Sequence, residues 1–282
     1  MKTQSRWVAL AGAVVTMATA VVTVQIIGST PAAAVPGLHQ VLAQALPHDS
    51  RASKQAIARC GPGEQVVGGG AIIDDLFGFQ VVLTELRPFD GGSQPDGYVA
   101  TAQEPAAGLG GGWEFAAIAL CAAPVAGHVI VSDTTDSNSS TFKAHAAGCP
   151  AGKLVIGTGS RIDHPGGQVG LHLNRSSGPR DISRSAARER ANGYAGDWSL
   201  TSYAICANPI AGMTEQSEID PSVGSIRCAS GRIHSLGGGG GLVDTGPFFL
   251  KTLFMSADLT AGIVAMTAVP PGGTVVQAIC GP

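Results

Sequence analysis

Arginine is the residue through which this sequence could act on a partner most directly. Arg175, Arg180, Arg184, Arg188 and Arg190 crowd one short stretch, with only Asp181 and Glu189 among them. A guanidinium fork matches a phosphate oxyanion through two parallel hydrogen bonds, so such a stretch can hold a polyanion such as a phosphate polymer. Neutralised by its own acids, the same stretch also fits a solvated face. A second set consists of acids after glycine-rich runs: Asp74 with Asp75, Asp163 with His164, and Asp244 with Thr245. Aspartate at such points starts turns by bonding its own backbone. The functional alternative is three similar rim sites for sugar hydroxyls or a divalent cation, although no spacing here supplies the six or more oxygens of a calcium loop.

Signatures of catalysis are missing. The sequence contains no Gly-x-Ser-x-Gly elbow, no His-Glu-x-x-His helix and no phosphate loop ending in Gly-Lys-Ser/Thr. The histidines at 39, 48, 128, 145, 164, 172 and 234 have no metal spacing, so neither a metal nor a cofactor is expected. A triad assembled from distant residues leaves no trace in spacing, and an extracellular hydrolase stays open as a third reading.

The elements that must position these residues come from a repeat. The six cysteines alternate between two types. The opening type is Cys-x-x-Gly at Cys60, Cys149 and Cys228, each followed by a glycine-rich apolar stretch such as Val66-Val67-Gly68-Gly69-Gly70. The closing type is Ala119-Leu120-Cys121, Ala204-Ile205-Cys206 and Ala278-Ile279-Cys280. Eight residues before each closing cysteine stand Trp113, Trp198 and Gly272. Matches at both ends, three times in order, define three tandem units. Between the cysteines lie short runs bounded by Gly, Pro, Asp and Ser, which read as at least four strands per unit with a possible fifth before the opening cysteine. Trp113, Phe115, Ala117, Ala119 and Cys121 fall on one face of the last strand.

Composition agrees. The chain has 40 glycines, 17 prolines, 13% charged residues and a mean hydropathy of +0.23, too apolar for disorder and suited to many strands and tight turns. Residues 1–34 read as a signal peptide: Lys2 and Arg6, an apolar run from Trp7 to Ile27, then Ala32-Ala33-Ala34. The run is also long enough for an uncleaved membrane anchor. Without those residues 15 basic side chains face 20 acidic ones, a net charge of −5 that gives no basis for general nucleic-acid binding. A flexible segment is expected over 35–50, then one domain over 51–282 with repeats at about 51–131, 140–214 and 221–282.

An exported chain with an even number of cysteines carries a disulfide framework. If a Greek-key return makes the first and last strands of a unit neighbours, the bonds are Cys60–Cys121, Cys149–Cys206 and Cys228–Cys280. Bonds between units, such as Cys121 to Cys149, are the rival. Three small sheets that cannot each bury an apolar face suggest an all-β, pseudo-threefold β-prism of three Greek-key-like sheets, one disulfide per repeat. A linear array of sandwiches is the alternative.

The Cys-Pro-x-Gly opening at Cys149, the Gly68-Gly69-Gly70 strand and the Trp198 to Ala204-Ile205-Cys206-Ala207 closing resemble secreted actinobacterial repeat proteins that are largely uncharacterised. More distantly, the threefold cysteine-bounded layout is similar to the vitelline membrane outer layer protein family, and that likeness implies a β-prism. That family's Asp-rich, Asn-containing turn is absent here. Neither resemblance carries agreed catalytic residues. The expected function is a secreted non-catalytic interaction module for a cell-wall glycan or a surface protein, with Asp74, Asp163, His164, Asp244, Arg175, Arg180, Arg184 and Arg188 as candidate ligand-binding residues. A structural, coat-type extracellular protein is the second reading.

Overall fold

The computed structural model describes residues 35–75, 80–221, 223–240, 246–268 and 270–282. The expected signal peptide over 1–34 and the candidates Asp244 and Thr245 lie outside the described residues. The first unit contributes β1 (His39–Asp49), β2 (Ser53–Arg59), β3 (Gln65–Asp75), β4 (Val82–Phe89), β5 (Gly97–Gln103) and β6 (Trp113–Ala122). The second contributes β7 (Val129–Thr134), β8 (Phe142–Gly148), β9 (Leu154–Asp163), β10 (Val169–Ser177), β11 (Ile182–Glu189) and β12 (Ser199–Ala207). The third contributes β13 (Thr214–Asp220), β14 (Gly224–Arg227), β15 (Arg232–Gly239), β16 (Leu250–Met255), β17 (Ala261–Met266) and β18 (Thr274–Gly281).

Each unit therefore has six strands, and its first strand lies upstream of the expected boundary. The segment 35–50, expected to be flexible, holds β1, which pairs with β6 from His39↔Cys121 onward. In the same way β7 and β13 precede the expected starts of the second and third units. The reason is burial: β7 and β13 have no buried side chain, unlike β2 and β14 at the opposite edges, so they lack the apolar alternation by which a strand is read. The edge position also tolerates Pro47 within β1.

The described residues form an all-β prism with three six-stranded antiparallel walls. The first wall runs β1-β6-β3-β16-β17-β14, the second β2-β5-β4-β9-β12-β7 and the third β13-β18-β15-β10-β11-β8. Each wall is shared. Strands one, six and three of one unit meet strands four, five and two of another, so no unit closes a wall by itself. The disulfides Cys60–Cys121, Cys149–Cys206 and Cys228–Cys280 stay within units, at Cα separations of 5.5, 5.7 and 5.6 Å. Each opening cysteine sits where its unit passes from one wall into the next and is tied to the closing strand of the wall it enters. Closing loops with sequence separations of 61, 57 and 52 residues is worth about 4 kcal/mol each in the chain-entropy account.

The glycine-rich strands β3, β9 and β15 occupy the inner position of the walls and touch one another. Each carries a β-bulge at the matching residue, Val67, Ile156 and His234. A Cβ on Gly68 would lie 2.6 Å from the carbonyl oxygen of His234, and one on Gly157 would overlap that of Val67. Glycine at these points is what lets the strands come together. The joints within the walls are built alike: a Cβ on Gly159 would stand 2.6 Å from Leu86 O, and one on Gly237 2.6 Å from Asn174 O.

At the bulge, two aliphatic residues are matched by one imidazole. His234 is fully buried, and neither ring nitrogen has a hydrogen-bond partner of good geometry among the described residues. Burial lowers its pKa from 6.5 to about 4, against an opposing pull from the Gly281 and Pro282 backbone. The unfolded chain binds this proton near pH 6.5 and the folded chain only near 4, so its contribution is present above pH 6.5 and is lost as pH falls towards 4. His234→Ile, which copies Ile156, is expected to unfold at the wild-type denaturant midpoint or above it at pH 7. At pH 4 it should be more stable than wild type by about 3 kcal/mol, as read by denaturant titration at both pH values.

Candidate functional site

The residues singled out for chemistry are dispersed. Asp74 is exposed near the end of β3 on the first wall. Asp163 ends β9 on the second wall and pairs with Arg161 Nη2 at 2.6 Å. The exposed His164 follows it in a turn at φ 60°. The arginines spread along the β10–β11 hairpin of the third wall. Arg180 sits at its tip with φ 64°, donating to Met213 O at 3.3 Å, and burial lowers its pKa against the pull of Glu215. Arg188 donates to Gly246 O, and Arg190 donates to Gly167 O at 3.0 Å and to Gln80 O at 2.9 Å. Those three fasten loops. Arg175 and Arg184 alone are brought side by side, as cross-strand partners. The Asn-x-Ser sequence at Asn174 cannot accept a glycan in the folded chain, because Asn174 is buried.

Sequence reasoning passed over the residues that partner the tryptophans. Trp113 is fully buried; its indole N–H donates to Glu104 at 2.9 Å, and Lys54 Nζ lies 4.5 Å from the ring centroid while donating to the Trp113 carbonyl. In the second unit Trp198 donates to Glu189 at 3.2 Å, and Lys143 Nζ lies 4.8 Å from its ring, donating to Trp198 O at 2.6 Å. The second oxygen of each glutamate accepts a loop N–H, Leu109 at 3.0 Å and Tyr194 at 2.9 Å. Burial lowers the pKa of Lys143 despite the nearby Asp197, Asp136 and Glu189. Each lysine stands six residues before its opening cysteine, and each glutamate nine before its tryptophan. In the third unit all three change together: Ser222, Gly272, and no acid from Ile263 to Pro271. Such a linked loss marks a structural set, a buried tryptophan whose indole N–H bonds an acid and whose ring packs against a lysine.

The outer face of the second wall carries a polar array. One row crosses six strands in register: Gln55, Thr101, Glu85, Arg161, Thr201 and Thr134. Glu85 accepts from Thr101 at 2.7 Å, from Gln55 at 3.2 Å and from Arg87 at 2.8 Å, with Arg161 Nε at 4.0 Å. Thr134 and Thr201 share a hydrogen bond of 2.9 Å. Tyr203 lies beside this array; burial raises its pKa, while Arg87 and Arg161 pull it down. Corresponding positions on the third wall are Ala144, Ala186, Leu173, Gly239, Val275 and Ile219, and on the first wall Val223, Ala265, Thr252, Ile72, Ala116 and Gln44. The polar row therefore belongs to one wall and is not required by the scaffold. Half-exposed ion pairs such as Arg161–Asp163 add little stability, about 0–1 kcal/mol; their effect is to hold donors and acceptors in fixed places.

At the disulfide end a groove of about 630 Å³ lies between the Asp90–Asp96 turn and the Pro124–Ile130 linker. Nearby, His39 and Glu64 approach to 3.7 Å beside Cys121, whose sulfur is already in a disulfide and offers no metal ligand. No protein-family model matches this chain, and no curated protein matches it.

Glu189→Ala should lower unfolding free energy by about 3 kcal/mol, because it strands the Trp198 and Tyr194 donors and removes one of the three acids near buried Lys143. The exposed Asp74→Ala should change it by less than about 0.5 kcal/mol. Urea titration of the two variants beside the parent reads both values.

Proposed function

We propose that this chain is a secreted, non-catalytic interaction module that holds a glycan, such as one of a cell wall, against the outer face of its second wall. The polar row from Gln55 to Thr134, with Arg87, Asp163 and Tyr203 beside it, is the observation that carries this reading. A sugar hydroxyl both donates and accepts, so a ligand with hydroxyls on neighbouring carbons needs donors and acceptors in alternation. Glu85 and Asp163 accept, Arg87, Arg161 and Gln55 donate, and the threonine and tyrosine hydroxyls do both. Ion pairing fixes these groups before a ligand arrives, which limits the ordering cost of binding.

Three disulfides and no free cysteine among the described residues mark a protein of an oxidising environment, which supports export. No helix among the described residues is long and apolar enough to cross a membrane. A coat-type role through self-association has its own support in Leu42, Ile219 and Val223, exposed by 61%, 68% and 55% on or beside edge strands.

A glycan array followed by calorimetry on the ligands it retains tests the proposal, with sedimentation of the same samples. A monomer that binds a glycan, weakened at least about tenfold by Arg161→Ala or Glu85→Gln with the fold intact, is the expected outcome. An empty array, or variants that bind as the parent does, would reject it. Concentration-dependent assembly with an empty array would favour the coat-type role.

A further inference from the structure

The third wall carries a charge arrangement that the scaffold does not need. Arg175 on β10 stands directly opposite Arg184 on β11. Like charges so placed oppose the pairing of their strands. Both side chains are half-buried, and neither makes a hydrogen bond or an ion pair with any described residue. The Nε of each is buried without a partner. Burying part of a guanidinium without satisfying it costs stability, so two such groups together call for a counter-ion.

The other units supply an internal comparison. The wall joints pair Glu85 with Arg161 and Leu173 with Gly239, which makes Arg87 the counterpart of Arg175. Arg87 is neutralised by Glu85 at 2.8 Å and stands opposite Val99. In the second unit Leu173 replaces that acid, and Arg184 replaces the valine. The third unit has Phe254 opposite Ile263 at the same place. An apolar pair and a neutralised arginine therefore both satisfy the fold, and the double arginine is particular to one wall. Around it the neighbours are small: Ala146 flanks Arg184, Gly237 flanks Arg175, and a cleft of about 290 Å³ lined by Ala144, His145, Ala146 and Ser185 opens beside Arg184.

We infer that Arg175 and Arg184 form an anion clamp for a phosphate group on the outer face of the third wall. A tetrahedral oxyanion has enough oxygens to accept from two guanidinium forks at once, and it cancels the repulsion between them. A carboxylate fills one fork and leaves the other. Arg180 and Arg188, engaged with the Met213 and Gly246 carbonyls, take no part. The clamp is independent of the glycan face on the second wall, and either reading can fail without the other.

Thermal unfolding of the purified protein in chloride, inorganic phosphate and long-chain polyphosphate at matched ionic strength tests the inference. Phosphate should raise the parent midpoint by about 3 °C relative to chloride. Arg184→Val, which copies Val99, should unfold higher than the parent in chloride, since it removes the repulsion, and should show no phosphate shift. Arg184→Lys keeps the charge without the fork and should show a reduced shift, and broadening of the phosphorus resonance on addition of each protein gives the same ranking without relying on unfolding. A shift with both anions assigns the clamp to single phosphate groups; a shift with polyphosphate alone assigns it to a phosphate chain. Equal parent midpoints in all three salts, or a full shift retained by Arg184→Val, would overturn the inference.

Discussion

The close approach of β3, β9 and β15 is the contact on which the rest of this structure depends. Backbone carbonyls from the bulges lie against Gly68 and Gly157, in space that a single methyl would fill. Each glycine strand must also pair on one side with its own closing strand and on the other with a strand of a neighbouring unit. Because each wall is shared, the three units cannot fold as separate sandwiches. The disulfides then fix the points where the chain passes between walls, cross-links within units that hold an arrangement completed between units.

This interior leaves little room for chemistry. The axis is occupied by backbone and small residues, with Val67, Ile156 and His234 buried at the bulges. Polar groups that are buried elsewhere, Lys54 with Glu104 and Lys143 with Glu189, are consumed by tryptophan packing. What differs among three similar walls lies outside: an ion-paired polar row on the second, two uncompensated arginines on the third, and no charged residue in the matching row of the first. The three walls share one scaffold and differ in their outer faces.

Much of the architecture is legible in the sequence, and the parts that are not have physical reasons. Flanking residues sorted the cysteines into openers and closers, and alternation from Trp113 to Cys121 identified the buried face of the last strand. The first strand of each unit escaped because β7 and β13 bury no side chain and leave no alternation to read, unlike the edge strand β2. Sharing of walls escaped because pairs such as Leu253↔Ala71 join residues far apart in sequence, and no local period encodes them. Lys54 was readable in principle: it falls in phase with Ala56 and Ala58 on the buried side of β2, an unusual place for lysine. The arginine stretch was noticed as composition, but its meaning depended on the hairpin. Folding back at Gly178–Asp181 sets Arg175 against Arg184 and sends Arg180 and Arg188 to opposite ends.

The most direct test of this account is to fill the space at the axis and compare it with filling space elsewhere. Gly157→Ala puts a methyl against Val67 O and 2.7 Å from the Ile205 side chain, whereas Gly110→Ala adds one where nothing lies within 4 Å. Denaturant unfolding should place Gly157→Ala at least about 3 kcal/mol below the parent, or fail to yield folded protein, while Gly110→Ala stays within about 0.5 kcal/mol. Parent-like stability of Gly157→Ala would contradict the claim that close contact of the three glycine strands holds the prism together.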